Sequence, residues 1–301
     1  MTVAAIDCGT NSIRLLVLAG SRDAPQELAR EVRLARLGQG VDATGEFHPD
    51  ALARTFAVCD EFAQIIRAHG AEKVRFVATS AARDVTNRQL LIDGVRERLG
   101  VEMDVIPGQE EARLSSAGAL CAVDVTPPTL ILDIGGGSTE LVLADGAGTI
   151  VHSVSLNVGS VRLRERFLHT DPPTPEEQRA SREFVGDLLD GSGIDFAAVA
   201  SAVGVAGTVT SVAARALGLE AYSRDAVHGL VLGRDDIRDA NSHWLATPVS
   251  EIEGEPCMHP LRAGVIGAGT LILDEIAARI PSQKILVSET DILDGIALEL
   301  L

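Results

Sequence analysis

The alternation of apolar runs and polar turns in the first third of the chain predicts an α/β fold. Apolar runs predict strands at about residues 3–7, 12–19 and 28–36, which together form a meander. Apolar residues then recur at helical spacing from about Pro49 to His69, and again from Asn87 to Leu99. Short apolar runs that end in polar turns lie between and after these helices. A meander followed by alternating helices and strands is typical of an α/β domain.

The same order begins again after two prolines at 127–128. A strand, a tight turn and further strands are predicted as far as Ser155. The sequence TPEEQ, residues 174–178, has the spacing of a capped helix start. A last strand over residues 284–287 precedes a turn and a terminal helix. The pattern therefore predicts two α/β domains, residues 1–126 and 127–301.

The segment LILDIGGGSTELV, residues 130–142, carries the most specific candidate chemistry. Glycine has no Cβ, so the N–H groups of three consecutive glycines can converge on phosphate oxygens. The predicted phosphate cradle consists of Gly135, Gly136, Gly137, Ser138 and Thr139. Asp133 before the turn and Glu140 after it offer the hard carboxylate oxygens that Mg²⁺ prefers. A glycine-rich hairpin with a purely structural role is the alternative interpretation.

The N-terminal segment VAAIDCGTNSIRLLVL repeats this plan about 126 residues earlier. An apolar strand ends at Asp7, a polar turn follows, and a second apolar strand begins. The candidate phosphate-binding residues are Gly9, Thr10, Asn11, Ser12 and Arg14. Arg14 is included because a forked guanidinium suits phosphate. Two copies of one hairpin favour two similar domains whose turns face each other across a cleft.

These motifs resemble those of the exopolyphosphatase and guanosine pentaphosphate phosphohydrolase family, within the actin, hexokinase and acetate kinase superfamily. Four segments carry the resemblance, and a fifth, weaker one is GVAGTVTSVAA at 204–214. The four are DCGTNSIR at 7–14, TSAARDVTN at 79–87, GQEEARL at 108–114 and DIGGGSTEL at 133–141. The resemblance implies two RNase H-like (actin-like ATPase) domains with a cleft between them. It also implies a terminal helix, about 290–301, that packs back on the first domain.

The resemblance also implies roles for residues outside the two hairpins. Glu111 matches the general base that activates the attacking water, whereas the neighbouring Glu110 points about 100° away along a helix. Arg83, at the end of a strand, is expected to neutralise charge on the transferred phosphoryl group. Gly207 and Thr208 are helix-start donors for a phosphate or nucleotide, although simple helix capping explains them equally well.

Metal binding is expected at the two strand ends. Asp133, Glu140 and Asp7 would position Mg²⁺ against the phosphate oxygens, with Mn²⁺ as a second candidate. The four cysteines and seven histidines show no zinc spacing and no disulfide framework.

Composition limits the partners and the location. With 301 residues, 46% of them hydrophobic, the chain can bury two cores. A net charge of −17 opposes binding to nucleic acid, so a polyanionic substrate needs a local basic cluster and metal ions. No apolar run is long enough to cross a bilayer, and the N-terminus lacks a signal-peptide pattern. We therefore expect a cytoplasmic protein without membrane or nucleic-acid partners, and the family suggests a homodimer.

The sequence favours exopolyphosphatase activity, the Mg²⁺-dependent release of orthophosphate from the end of inorganic polyphosphate. The alternatives are a guanosine pentaphosphate phosphohydrolase, a non-catalytic sensor of either ligand, an ATP-dependent kinase of the same superfamily, and a phosphotransferase to ADP. The chain lacks the additional C-terminal helical domains of longer members, which favours short phosphate chains. It also departs from the family at SETDILDG, where Asp291 and Asp294 stand in place of basic residues. This acidic turn is expected to remove positive charge near the cleft.

Overall fold

The structure is a computed structural model that describes residues 1–145 and 149–301. It divides into two compact units, residues 1–118 with 291–301, and residues 119–290. The first unit's long segment ends at Gly118, before the boundary after residue 126 that the prolines at 127–128 predict. The intervening loop belongs to the second unit, because the carbonyl of Ala122 is 3.2 Å from Nε2 of His228 and that of Ala119 accepts from the Ser288 hydroxyl.

The first unit is built on a five-stranded sheet in the order β3-β2-β1-β4-β5. Its elements in chain order are β1 (Thr2–Cys8), β2 (Ile13–Ser21), β3 (Ala24–Arg33), α1 (Val41–Thr44), α2 (Pro49–Ala68), β4 (Lys73–Ala78), α3 (Ser80–Arg83), α4 (Arg88–Leu99), β5 (Met103–Val105) and α5 (Gly108–Leu120). The first three strands are antiparallel, and β4 and β5 run parallel to β1. Both predicted helices of this region are present.

The third strand begins earlier than its apolar pattern predicts. It spans Ala24–Arg33, and Ala24 pairs with Ser21 across a tight turn. The residues around this turn are exposed, so no buried face marks the start of the strand in the sequence. Backbone pairing alone therefore sets this boundary.

The second unit contains a six-stranded sheet in the order β10-β11-β9-β6-β7-β8. Its strands and helices are β6 (Thr129–Ile134), β7 (Thr139–Ala144), β8 (Ile150–Leu156), α6 (Ser160–Phe167), α7 (Pro175–Asp190), a 3₁₀ turn (Phe196–Ala198), β9 (Ser201–Val205), α8 (Ala206–Ala216), α9 (Arg224–Val227), β10 (Val231–Gly233), α10 (Arg234–Ala246), α11 (Val249–Ile252), α12 (Pro260–Arg279) and β11 (Lys284–Val287). The last element of the chain, α13 (Ile292–Leu300), belongs to the first unit.

The two sheets share one plan. Each starts with an antiparallel meander of three strands, and each continues with two strands parallel to the first of them. The second sheet adds β10, antiparallel to β11, at its edge. The architecture is therefore α/β and duplicated.

The sheet of the first unit is covered on both faces, so β1 is almost uniformly apolar. Residues Ala4, Ile6 and Cys8 pack with side chains of α2 and α4. Val3 and Ala5, on the opposite face, pack with α5 and α13. In the second unit one large core joins the sheet to α7, α8, α10 and α12. Buried strands of this kind hold the polar turns at their ends in fixed positions.

Candidate active site

The hairpin between β1 and β2 is a closed turn, and a neighbouring backbone segment donates hydrogen bonds to its carbonyl groups. The N–H of Gly9 donates to Ser12 O at 2.9 Å. The carbonyl groups of Thr10 and Asn11 accept from the backbone N–H groups of Gly38 and Arg36, at 2.8 and 2.9 Å. A trans peptide directs its N–H opposite to its C=O. The N–H groups of Asn11 and Ser12 therefore point away from the segment that holds the turn.

The hairpin between β6 and β7 repeats this construction with the three glycines. Gly135 N–H donates to Ser138 O at 3.0 Å. The start of α6 supplies the support, because the N–H groups of Ser160 and Val161 donate to the carbonyls of Gly135 and Gly136 at 2.9 and 2.8 Å. By the same peptide geometry, the N–H groups of Gly136 and Gly137 point away from α6. Such outward N–H groups suit an anion.

The start of α6 packs so closely against the glycine turn that no side chain fits between them. A Cβ on Gly159 would lie 2.5 Å from the carbonyl carbon of Gly136. Glycine at this position is thus required by backbone-to-backbone contact. The glycine turn and the helix start consequently form one packed unit.

The two hairpins differ in the residues that face each other across their strands. Asp7 lies opposite Arg14 in the first hairpin, whereas Asp133 lies opposite Glu140 in the second. Directly opposed residues share one face of a sheet. The first hairpin therefore presents an acid and a base, and the second presents two carboxylates. Two buried carboxylates on neighbouring strands offer the hard oxygen ligands that a divalent cation favours.

Glu140 is fully buried and has a hydrogen bond that the sequence does not reveal. The Ser155 hydroxyl on β8 donates to its Oε1 at 2.7 Å. Thr139, in contrast, uses its hydroxyl inside the second unit. It is completely buried, and its hydroxyl donates to Val158 O at 2.6 Å. The one O–H of Thr139 is thus used inside the fold, and a contact of this residue with phosphate stays a prediction.

Arg14 contacts two carboxylates. Its Nε and one terminal nitrogen donate to Oδ2 of Asp7 at 3.0 and 2.6 Å. Its other terminal nitrogen donates to Oδ2 of Asp291. The guanidinium thus joins two acidic side chains of the first unit in this structure, and its contact with phosphate stays a prediction.

The acidic turn that departs from the family pattern is balanced by arginines. Asp291 pairs with Arg14, and Asp294 pairs with Arg30 on β3. Both carboxylates also cap α13, since Asp291 Oδ1 accepts from Leu293 N–H and Asp294 Oδ2 accepts from Asp291 N–H, each at 3.0 Å. The turn thus contributes structural ion pairs to the first unit, which the sequence interpretation of lost positive charge did not include.

Asp7 is the most constrained carboxylate of the first hairpin. Its side chain is buried, which raises its pKa, while the Arg14 guanidinium opposes that shift. Its Oδ1 is buried and has no hydrogen-bond partner among the described residues. Buried polar atoms are nearly always satisfied, so this oxygen is a candidate contact for a cation or for metal-bound water.

Glu111 and Arg83 form a pair at the start of α5. Arg83 donates to Glu111 Oε2 at 2.6 Å and to Ile106 O at 3.0 Å from the same nitrogen. Arg88 fixes the short α3 by donating to the carbonyls of Ala82 and Arg83. The structure therefore brings the two predicted catalytic residues together and anchors both.

Glu110 has different surroundings from Glu111. It forms a two-bond ion pair with Arg113, at 2.8 and 2.7 Å, which lowers its pKa. Glu111 is buried, with 8% of its surface exposed. The two adjacent carboxylates thus point to different partners, as the helix geometry predicts.

Gly207 and Thr208 lie in the first turn of α8 and are accompanied by an arginine. A Cβ on Gly207 would lie 2.8 Å from a terminal nitrogen of Arg262, and Arg262 donates to the Ser211 hydroxyl at 3.1 Å. Thr208 is buried. Nothing local in the sequence links Arg262 to this glycine, and its position comes from the packing of α12 on α8.

No cluster of three or more His, Cys, Asp or Glu side chains arranged to hold a metal occurs among residues 1–145 and 149–301. Mg²⁺ is commonly held by one or two carboxylates together with substrate phosphates, and the opposed pair Asp133 and Glu140 fits that pattern. None of the helices in this part of the chain is long and apolar enough to span a membrane.

Two units with one strand order, each bearing a polar hairpin at the end of its first strand, define the two-domain actin-like class of phosphate-handling proteins. Within that class the chain belongs to the Ppx/GppA phosphatase family, whose sequence pattern matches residues 16–301.

Individual relatives match over nearly the whole chain. Exopolyphosphatase 2 of Mycobacterium tuberculosis is 42% identical over 314 residues, covering 99% of this chain and 98% of that protein. The crystal structure of an exopolyphosphatase-like protein, 37% identical, superposes with a TM-score of 0.96 over 99% of this chain and 97% of that one. The Aquifex aeolicus PPX-GPPA enzyme, 29% identical, covers 99% of both chains with a TM-score of 0.84.

Proposed function

We propose that this protein is an exopolyphosphatase, which hydrolyses the terminal phosphoanhydride of inorganic polyphosphate. The observation that carries the proposal is the second hairpin, in which Gly136 and Gly137 turn their N–H groups outward beside the opposed carboxylates Asp133 and Glu140. Anion donors next to hard oxygen ligands suit a phosphate chain that is bound together with a divalent cation. The full-length similarity to a protein named Exopolyphosphatase 2 supports the same substrate.

The donor set of the strand ends fits Mg²⁺, with Mn²⁺ as a substitute. In the second unit, Asp133 and Glu140 would hold such a cation. In the first unit, the buried Oδ1 of Asp7, which lacks a partner among the described residues, would accept a cation or a metal-bound water. When bound, the cation neutralises charge on the phosphate oxygens and polarises the terminal phosphorus. Side chains and backbone groups of the protein bind the phosphate chain, orient it and accept the proton.

Each predicted residue has a distinct task. Glu111 accepts a proton from the attacking water, whose oxygen forms the new bond to the terminal phosphorus. The bond between that phosphorus and the bridging oxygen breaks, its electron pair stays on the shortened polyphosphate, and the attacked phosphorus is released as orthophosphate. Arg83 orients Glu111 and offsets charge on the transferred group. Phosphate oxygens are bound by N–H and O–H donors of the following residues: Thr10, Asn11, Ser12, Gly136, Gly137, Ser138, Gly207 and Thr208. Gly9 and Gly135 use their N–H groups to close the two turns, and so shape the site without donating to phosphate.

Phosphate release with Mg²⁺ tests the proposal. Four substrates are compared, a short polyphosphate, a long polyphosphate, guanosine pentaphosphate and ATP, with wild-type protein and Glu111→Gln in parallel. We expect release from polyphosphate that is lost in the variant. Faster release from guanosine pentaphosphate would assign the protein to the nucleotide phosphohydrolases. Binding of polyphosphate without any release would make it a sensor, and phosphate transfer from ATP to an added acceptor would make it a kinase.

A further inference from the structure

The Arg14 guanidinium binds Asp7 in an unequal way. A guanidinium fork commonly donates one N–H to each oxygen of a carboxylate. Here both Nε and a terminal nitrogen donate to Oδ2 of Asp7, at 3.0 and 2.6 Å, and Oδ1 of Asp7 is buried without a partner among the described residues. One oxygen is therefore held, and the other keeps its lone pairs for a further contact.

Asp291 accounts for this arrangement. Its Oδ2 accepts from the remaining terminal nitrogen of Arg14, so the guanidinium is shared between two carboxylates. Without that second acceptor, the guanidinium would be able to rotate onto both oxygens of Asp7 and cover Oδ1. The contact with Asp291 thus determines which edge of Arg14 reaches Asp7.

Asp291 is itself fixed by backbone contacts that allow little movement. It is the N-cap of α13, where its Oδ1 accepts from Leu293 N–H at 3.0 Å. Its own carbonyl lies against α5, because a Cβ on Gly118 would be 1.7 Å from it. The neighbouring pair of Asp294 with Arg30 attaches the same helix start to β3. Asp291 therefore presents one oxygen to the helix and the other to Arg14 from a rigid position.

We infer that Arg14 and Asp291 are positioning residues, which orient Asp7 so that its Oδ1 is directed to a divalent cation or to a water bound to it. The inference rests on the proposed function only for the presence of that cation at this hairpin. The same inference assigns a positioning role to Asp291 in the acidic turn SETDILDG. Residues in contact with a metal ligand commonly change metal affinity about 10- to 100-fold when they are replaced.

The test measures Mn²⁺ binding to the full-length protein from the electron paramagnetic resonance signal of free Mn²⁺. Asp291→Ser keeps an N-cap oxygen for α13 but removes the acceptor for Arg14. We expect it to weaken Mn²⁺ binding about 10- to 100-fold with little change in melting temperature. Asp291→Ala removes the cap as well, so it should lose the same affinity and also lower the melting temperature.

Arg30→Lys is the matched control. It perturbs an equally buried ion pair at the same end of α13 that does not touch Asp7. We expect it to leave Mn²⁺ binding unchanged. Wild-type affinity in Asp291→Ser, an equal loss in Arg30→Lys, or no Mn²⁺ binding by the wild type would each overturn the assignment.

The readout is independent of turnover. A wild-type protein that releases no phosphate from any of the four substrates would contradict the proposed function. A selective loss of Mn²⁺ affinity in Asp291→Ser would still support the positioning role. Conversely, active wild-type protein with unaltered Mn²⁺ binding in Asp291→Ser would reject the positioning role alone.

Discussion

Adjacent residues on α5 show how surroundings separate two chemically identical side chains. Glu111 is buried and bound by Arg83, whereas Glu110 is partly exposed and paired with Arg113. A general base must be held in one orientation, and the contact with Arg83 provides this for Glu111. The ion pair with Arg113 favours the ionised form of Glu110 and uses both of its carboxylate oxygens.

This contrast yields a prediction with a built-in control. Glu111→Gln should lower kcat by about 100- to 10,000-fold, because the attacking water loses its proton acceptor. KM and melting temperature should change little, since the shape of the side chain is preserved. Steady-state phosphate release measures both constants. Glu110→Gln, the neighbouring control, should keep kcat close to the wild-type value, and equal losses in the two variants would remove Glu111 from the role of base.

At the scale of elements, the start of α6 supports the glycine turn through backbone atoms alone. Replacement of Gly159 by alanine would place a Cβ 2.5 Å from the carbonyl carbon of Gly136, which a backbone cannot avoid by changing rotamer. We expect Gly159→Ala to raise KM for the phosphate chain and to destabilise the second unit by about 1–3 kcal/mol, as overpacking does. Urea unfolding and phosphate release measure the two effects.

Gly233→Ala is a suitable comparison for that variant. Gly233 is also a helix N-cap, but the nearest atom to its added Cβ is the Asp236 carboxylate at 3.4 Å. Any general cost of alanine at an N-cap applies to both positions. If Gly233→Ala raised KM as much as Gly159→Ala, the effect would come from helix capping and not from the glycine turn.

The start of α7 gives a prediction about pH. The Glu177 carboxylate accepts from the Thr170 hydroxyl and from the N–H groups of Thr174, His169 and Thr170, which lowers its pKa to about 2. A carboxyl whose pKa is depressed by folding stabilises the folded state above its unfolded pKa, and this contribution is lost as pH falls. Glu177→Gln should therefore be less stable than wild type at pH 6, with a difference that shrinks towards pH 3. Urea unfolding at several pH values checks this, and a difference independent of pH would contradict the assignment.

Elements with a local signature were predictable from the sequence, and contacts between distant residues were not. The hairpin turns are visible because glycine and hydroxyl residues follow apolar strands. The cap of α7 is visible because Thr174 and Glu177 have capping-box spacing, and the structure confirms it. Nothing local links Arg14 with Asp291, which are far apart in the chain, or places Ser155 on Glu140. The sequence names candidate carboxylates, but the tertiary packing determines what each of them contacts.

For the whole molecule, duplication of one strand plan explains why the two units resemble each other. The units differ in how many segments of the chain build them. The second unit is one continuous segment, residues 119–290, with its own core. The first unit needs both ends of the chain, because α13 covers one face of its sheet. Since the units have separate cores, unfolding of the full chain is expected to depart from a single two-state transition.

Removal of residues 291–301 should therefore unfold the first unit selectively. Three large side chains of α13, Ile292, Leu293 and Ile296, are buried against β1 and β2. At about 1.5–3 kcal/mol each, their burial contributes about 5–9 kcal/mol. A typical domain has a net stability of about 5–15 kcal/mol, so few domains tolerate such a loss.

Calorimetry of residues 1–290 beside the full chain distinguishes the outcomes. We expect the transition of the first unit to be lost and that of the second to remain near its original temperature, because the core of the second unit contains no residue of α13. An added synthetic peptide of residues 291–301 should restore part of the lost transition by covering the apolar face of Val3, Ala5, Leu16 and Leu18. Two unchanged transitions in the truncated protein would mean that α13 contributes little to the first core. The terminal helix would then serve chiefly to carry Asp291 to Arg14, and the Mn²⁺ affinity of the truncated protein would fall although its first unit remained folded.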